Sequence, residues 1–173
     1  MDKELFDKTE DQLKRYYRYK NKINKKYRKV EMLEDQIKVI DNQIRNVHNY
    51  ISLDTMPPGA GCGERVQSSI SGSSYMEKQM ENEVTKLEKR KVEKIRQKIK
   101  AESKIMDMQS FIRIMDTNIE MLNEEDKRFI ELKYGDEKEV PYIAMQLNMA
   151  QATAYRHREE LVENIADSMW MYK

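Results

Sequence analysis

Apolar and aromatic residues recur every seven positions along the first part of the chain. One set consists of Tyr16, Ile23, Val30, Ile37, Ile44 and Ile51, and the other consists of Tyr19, Leu33, Ile40 and Val47. These two sets are the a and d positions of a coiled coil, and Lys26 is the one polar residue that breaks them. The pattern predicts a long helix over residues 1–53, which needs a partner to bury its apolar stripe.

A second heptad pattern predicts another long helix over residues 75–122. Its frame consists of Val84, Leu87, Ile105, Met108, Ile112, Met115, Ile119 and Leu122. In the middle, lysines 91, 94 and 98 occupy the frame, and Val92, Ile95 and Ile99 lie one residue later. We therefore expect the apolar stripe to shift sideways there, as in a stutter. The simplest arrangement is an antiparallel hairpin of the two helices, and the alternative is that either helix also pairs with another subunit.

Residues 54–74 join the two predicted helices and have a different composition. They hold four of the five glycines, two of the three prolines and the single cysteine, Cys62. This composition is typical of a flexible loop. A lone cysteine forms no intrachain disulfide, which fits a reducing cytosol. With no apolar run near the ~20 residues that span a bilayer, and a charged N-terminus, we expect a cytoplasmic protein without a membrane partner.

Residues 123–173 show a different pattern, which predicts three shorter helices. Asn123 can cap the first, which is expected to end near Tyr134 with Gly135 as the stop signal. Pro141 suits the first turn of the second, which reaches Leu147. A short turn then leads to a third helix over residues 150–169. The predicted fold is therefore all-α: a long antiparallel coiled-coil hairpin followed by a separate C-terminal domain.

Charge is distributed unevenly along the chain. Residues 1–50 carry 13 Lys and Arg against 9 Asp and Glu, whereas residues 123–173 carry 7 against 11. The stretch from 14 to 29 has no acidic residue, and tyrosines are interleaved with its basic ones. Such a stretch is either a solvated helix face or a patch that attracts the DNA backbone or an acidic partner surface. The candidate patch consists of Lys14, Arg15, Arg18, Lys22, Lys25, Lys26, Arg28 and Lys29.

The second and third of the short helices have the pattern of a helix-turn-helix. A small residue, Ala144, stands where two helices would cross closely, and Ile143, Leu147 and Met149 would pack the corner. The next helix would then present its N-terminal turns to solvent. In a helix-turn-helix, that second helix enters the major groove of DNA.

The stretch from 122 to 161 resembles region 4 of sigma-70-type factors. The residues that carry the resemblance are Leu122, Glu124, Glu125, Ile130, Leu132, Tyr134, Ile143, Ala144, Leu147, Thr153 and Arg156. The whole chain resembles the ArpU and RinA type of phage and prophage late-transcription regulators. These share the order of long helix, Met-Pro-Gly-type loop (here residues 56–59), second helix and region-4-like end. In this chain, Ala154 and His157 stand where that family usually has larger apolar residues, which is expected to weaken the domain.

The resemblance implies that the third helix binds double-stranded DNA. Gln151 and Arg156 would contact bases, since Gln pairs well with adenine and Arg with guanine. Thr153 and Arg158 are better placed for phosphate, and Tyr155 for a sugar or a thymine methyl group. The DNA-binding set carried over is Gln151, Ala152, Thr153, Tyr155, Arg156 and Arg158.

The function implied is a transcription regulator that acts with host RNA polymerase in a bacterial cell, most simply as an activator of phage late genes. It would form a homo-oligomer through the coiled coil. One alternative is a DNA-packaging subunit of the small-terminase kind, and another is a coiled-coil scaffold. His48 and His157 are far apart in sequence, and no metal-ligand spacing, phosphate-binding loop or catalytic set is present. We therefore expect no enzymatic activity, no cofactor and no metal.

Overall fold

The structure, a computed structural model, describes residues 2–49 and 75–170. These residues form five α-helices and no strand. The first two are long, and the last three are short or of moderate length. The helices are α1 (Lys3–Arg45), α2 (Tyr75–Glu120), α3 (Glu124–Ile130), α4 (Val140–Gln146) and α5 (Gln151–Trp170). The all-α prediction is confirmed for this part of the chain.

The first helix ends earlier than its heptad pattern predicts. It stops at Arg45 instead of 53, and a short 3-10 turn follows over Val47–Asn49. The side-chain amide of Asn46 donates a hydrogen bond to the Asn42 carbonyl at 2.9 Å. The same carbonyl accepts the backbone amide of Asn46 at 3.1 Å, so the side chain adds a bond at the last helical turn and does not displace the helical one. The predicted loop at 54–74, with Cys62, lies outside the described residues.

The chain divides into two compact units, and each long helix contributes to both. Unit 1 comprises residues 1–27 and 104–173, and unit 2 comprises residues 28–103. This division in space differs from the predicted division along the chain, because the start of α1 belongs to the same unit as α3, α4 and α5. The first 27 residues are therefore part of the C-terminal unit and not only of a hairpin.

In unit 2, α1 and α2 pack side by side and run in opposite directions. Glu34 bonds Lys98 at 2.8 Å, and Asp41 bonds Lys91 at 2.5 Å, so residue numbers rise along one helix as they fall along the other. Two side chains of α1 are fully buried between the helices, Leu33 and Ile40, together with Ala101 of α2. Unit 2 is therefore a two-helix seam with a narrow core.

The predicted sideways shift of the stripe in α2 is wrong at two of its three positions. Lys91 and Lys98 keep their seam positions and are half-buried, whereas Val92 and Ile99 are exposed. Ile95 is half-buried beside the seam, as is Lys94 within it. The long lysine stems cover the seam while their ammonium groups bond the carboxylates of α1 across it. The heptad frame therefore continues without interruption, and Ala101 fills the seam position that follows Lys98.

Unit 1 buries a larger core than unit 2. It draws side chains from all five helices, with Phe129 of α3, Ile143 of α4 and Ile165 of α5 almost completely enclosed. In α1 and α2, Leu13 and Met115 face the same core. Each such side chain contributes about 1.5–3 kcal/mol through burial. The three C-terminal helices are thus held on the two long ones by a common apolar cluster.

The predicted boundaries of the short helices agree with the structure to within a few residues. Asn123 caps α3, because its side-chain oxygen accepts a hydrogen bond from the Asp126 amide at 2.8 Å. After Ile130 the helix continues as one wide π-helical turn over Glu131–Gly135. A Cβ at Gly135 would lie 3.0 Å from the ring of Tyr17, so glycine allows α1 to approach this turn closely.

Candidate nucleic-acid interface

A tight turn connects α4 to α5. Asn148 has a positive φ of 51°, a left-handed conformation that Asn adopts more readily than most residues. The next amide, of Met149, donates a hydrogen bond to the Ala144 carbonyl at 2.9 Å and closes the turn against α4. Ala144 and Ala154 are both buried, and their small side chains let the two helices come close. The turn therefore fixes the direction in which α5 starts.

The first two turns of α5 expose most of the predicted DNA-contacting residues. The exposed side chains are Gln151, Ala152, Thr153, Tyr155 and Arg156. Ala154 faces the core between them, as do Leu161 and Val162 further along. This half of α5 thus has one buried side that anchors it and one open side with an amide, a hydroxyl, a phenol and a guanidinium group.

Arg158, the remaining residue of that predicted set, is engaged within the protein. Its Nε and Nη2 lie 2.8 and 2.6 Å from Oε1 of Glu10, and its guanidinium group lies over the ring of Phe6. Tyr134 donates a hydrogen bond to the same carboxylate oxygen at 2.6 Å. Glu10 is a buried carboxylate, only 8% exposed. Phosphate contact by Arg158 stays a prediction, but it competes with this cluster.

The Glu10 cluster ties together helices that are far apart in sequence. Burial and then the hydrogen bond to Glu10 raise the pKa of Tyr134 well above its usual range, so the phenol remains a donor. Burial is the largest single influence on the pKa of Arg158 and would lower it, but the hydrogen bonds and charges of Glu10 and Tyr134 together raise it. The Glu10 carboxylate therefore accepts hydrogen bonds from one charged donor, Arg158, and one neutral donor, Tyr134. Sequence reasoning missed Glu10, because nothing in the heptad pattern distinguishes it from a solvated acid.

His157 is half-buried beside the exposed side of the first turns of α5. Its ring meets the edge of Phe129, with centroids 5.3 Å apart. Its Nε2 lies 2.9 Å from Oδ1 of Asp126, but the ring N–H is not aimed along that line, so the contact is one of proximity and not a hydrogen bond. His157 thus packs on α3 with an imidazole ring, so part of the surface it buries there is polar.

The basic stretch of α1 is mostly exposed. Of the eight residues of the candidate patch, Lys26 alone is half-buried, at its seam position. Arg15 is exposed but held, since its Nε donates to the Tyr19 hydroxyl at 2.9 Å and its guanidinium lies 4.7 Å from the ring centre of Phe111. Residues 14–26 belong to unit 1 with α5, whereas Arg28 and Lys29 belong to unit 2.

Tyr16, in the same stretch, is a seam residue and not a surface group. It is buried, and its hydroxyl donates to Asp116, whose carboxylate also lies 3.6 Å from Lys20. Burial and then this hydrogen bond raise the pKa of Tyr16 far above its usual range. The tyrosines here thus help join α1 to α2, and the lysines and arginines between them provide the exposed charge.

In the described ranges, 2–49 and 75–170, no three His, Cys, Asp or Glu side chains are grouped so that they could hold a metal ion. No helix in those ranges has an apolar stretch long enough to cross a bilayer. In comparisons with protein-family models, with curated proteins and with solved structures, no match to this chain was found.

Proposed function

We propose that this chain is a sequence-specific DNA-binding transcription regulator, in which α4 and α5 act as a helix-turn-helix and α5 contacts the bases. The observation that carries the proposal is the exposed side of α5: Gln151, Thr153, Tyr155 and Arg156 are open to solvent at the N-terminal end of a helix that Ala154 anchors. Amide and guanidinium groups at that end of such a helix can contact base edges in the major groove.

The basic part of α1 supports the electrostatic half of the proposal. Residues 123–173 are net acidic and would be repelled by phosphate, but residues 1–27, with 9 Lys and Arg against 5 Asp and Glu, belong to the same compact unit. Exposed lysines there, such as Lys22 and Lys25, can supply the sequence-independent attraction that DNA binding needs. Lys26 is less suited to that role because it is half-buried.

The biological setting of the proposal rests on the resemblance to phage late-transcription regulators. It assigns the protein to the cytoplasm of a bacterial host, with RNA polymerase as the partner and activation of phage late genes as the outcome. Nothing in the chain resembles the sigma region that melts promoter DNA, so the protein would assist a sigma factor and not replace one.

The proposal is tested by selecting preferred duplexes from a random pool with the full chain and then measuring their binding. Arg156→Ala should weaken binding to a selected duplex by about 1–3 kcal/mol and reduce the preference over a scrambled duplex. Lys22→Ala should weaken both duplexes alike and reduce the salt dependence by about one counterion. Arg113→Ala, at an exposed arginine of α2 in the same unit, is the matched control and should leave sequence preference unchanged.

Two results would contradict the proposal. One is a selection that enriches no sequence. The other is an Arg156→Ala protein that keeps the affinity and preference of the wild type. In either case the coiled-coil scaffold becomes the better hypothesis.

A further inference from the structure

An open groove runs along α1 within unit 2. It has a volume of about 620 Å³ and is lined on α1 by Met32, Gln36 and Val39 and on α2 by Arg90 and Lys94. All of these residues belong to unit 2, so the groove is a feature of the two-helix seam alone. It plays no part in the proposed DNA contacts.

The α1 side of the groove exposes apolar surface that the seam does not use. Met32 is 52% exposed and Val39 is 55% exposed, although each is next in sequence to a fully buried seam residue. Since Met32 and Val39 are seven residues apart, they lie on the same side of the helix. A pair of large apolar side chains in a concave surface is typical of a contact site for another protein surface.

A buried polar atom lies between these two apolar residues. Oε1 of Gln36 is shielded from solvent and accepts no hydrogen bond from any described residue. Because this oxygen is closed to solvent, it is not itself a contact for a partner. Gln36 lines the middle of the groove, between Met32 and Val39.

The charges of the groove have opposite signs on the two sides of Gln36. Lys91 pairs with Asp41 and Lys98 with Glu34, which places Lys94 level with position 38 of α1 and Arg90 level with position 42. The basic end of the groove therefore lies beyond Gln36 toward the end of α1.

The opposite end of the groove carries two acids. Glu31 and Asp35 line it there, together with one cation, Arg28. Asp35 also lies 3.2 Å from Lys38, in a pair whose side chains are both largely exposed and therefore readily exchanged. Because acids lie at one end and bases at the other, at similar distances from Gln36, the groove is complementary to a copy of itself turned end to end.

We propose that the groove is the contact surface between two copies of this chain, related by a twofold axis that crosses it at Gln36. In this arrangement Met32 and Val39 of one copy cover those of the other. The acids Glu31 and Asp35 of each copy face Arg90 and Lys94 of its partner. Such self-complementarity is the property that a twofold interface requires.

The size of the surface sets the expected strength. The 18 residues from Arg28 to Arg45 are about 27 Å long, and two adjacent helices are about 20 Å wide. The dimer would therefore bury roughly 1,100 Å² in total, at the low end of specific interfaces. We expect a dissociation constant in the micromolar range.

The first test compares two exposed apolar residues of unit 2 by sedimentation equilibrium of the full chain without DNA. Val39→Glu should weaken the dimer at least about tenfold, since it places a charge in the contact. Ile99→Glu is the matched control, because Ile99 is similarly exposed, at 59%, and does not line the groove. Circular dichroism should show unchanged helix content in both variants.

The second test exploits the charge pattern. A variant with Glu31→Lys and Asp35→Lys should be monomeric, and so should a variant with Arg90→Glu and Lys94→Glu, whereas an equimolar mixture of the two should form a heterodimer. A wild-type chain that stays monomeric at 100-fold above micromolar concentration would overturn the proposal. So would a dimer that survives Val39→Glu, or a mixture that does not associate. None of these outcomes depends on DNA binding, so the tests of the dimer and of the proposed function are independent.

Discussion

Unit 1 and unit 2 are built from the same two long helices, but they bury side chains very differently. Unit 1 adds three further helices and encloses a cluster that includes Leu13, Phe129, Ile143 and Ile165. Unit 2 has the long helices alone, and in its described part fully buries Leu33, Ile40 and Ala101. The difference shows that a heptad pattern specifies a seam, whereas the depth of the core depends on what else packs on it.

Charged groups differ between the units in the same way. The carboxylate of Glu10 in unit 1 is buried, accepts hydrogen bonds from Tyr134 and from Nε of Arg158, and forms an ion pair with Nη2 of Arg158. In unit 2, the pair of Asp41 and Lys91 has side chains about one-third exposed. Removing one partner of a buried charge leaves the other uncompensated, whereas water replaces the partner of an exposed one. The same kind of contact should therefore matter far more in unit 1.

The largest expected effect comes from the same deletion made in both cores. Ile143→Ala in unit 1 should cost about 4 kcal/mol, and Ile40→Ala in unit 2 about 2 kcal/mol, within the range for such changes. The reason is that a two-helix seam can close partly over the lost volume, whereas a core enclosed by five helices cannot. Urea unfolding of each variant measures the cost, and hydrogen exchange assigns it to residues 104–170 or 28–49. Equal costs in the two units would contradict the comparison.

The next largest effect comes from the charged groups. Arg158→Met should cost about 2–4 kcal/mol because it leaves Glu10 buried and unpaired. Lys91→Met, the matched change in unit 2, should cost at most about 1 kcal/mol. Thermal unfolding at neutral pH compares the two. A restored stability in the double variant Arg158→Met with Glu10→Met would show that the cost is that of the uncompensated carboxylate.

Arg158→Met also tests the proposed phosphate contact with DNA. If Arg158 serves only the Glu10 cluster, the variant keeps the wild-type salt dependence of binding under conditions where it is folded. A salt dependence reduced by about one counterion would instead support the predicted phosphate contact.

The fold could be predicted well from sequence wherever a pattern repeats. The heptads predict both long helices, and the capping signal at Asn123 and the proline at 141 predict where short helices start. The prediction of a sideways shift assumed that apolar residues lie at the seam and lysines outside it. In the structure Lys91 and Lys98 lie at the seam, because each pairs with a carboxylate of α1 across it. No local sequence pattern reveals these partners.

The candidate site was less predictable than the fold. Exposure of Gln151, Tyr155 and Arg156 follows from helical spacing around the buried Ala154. The engagement of Arg158 does not follow from it, because its partner Glu10 is 148 residues away in sequence. One signal was present: Leu13 is apolar but lies off the heptad frame, which indicates that α1 has a second buried side near its start.

A smaller effect is expected at helix ends, which are also more constrained in unit 1. Asn123→Ala should cost about 1 kcal/mol, because it removes the hydrogen bond that caps α3. Asn46→Ala, at the end of α1 in unit 2, should cost less, since its amide bonds a carbonyl in an exposed turn where water can replace it. Thermal unfolding of the two variants side by side measures the difference. A larger loss for Asn46→Ala would mean that the end of α1 is more tightly held than its exposure indicates.

The smallest effect concerns how unit 2 responds to pH. The hydrogen bond from Lys98, followed by the attraction of its charge, lowers the pKa of Glu34 below its usual value of 4.5. A carboxyl whose pKa is lowered by folding stabilises the folded state fully above that usual value, and the stabilisation is lost as the pH falls through the lower folded value.

The same bond with Glu34 is the main cause that raises the pKa of Lys98 above its usual 10.5. The stabilisation of the folded state by Lys98 is therefore complete below pH 10.5, and it is lost only as the pH rises through the higher pKa that Lys98 has in the folded protein. Between about pH 5 and 10 the pair should therefore give a constant, small increase in Tm relative to Glu34→Gln. Toward acid pH the difference between wild type and variant should shrink to zero. Glu83→Gln, which removes a carboxylate bonded to Lys86 within α2 only, is the matched control and should change Tm less at neutral pH. A difference that grew on acidification would show that Glu34 is not held in its charged form by Lys98.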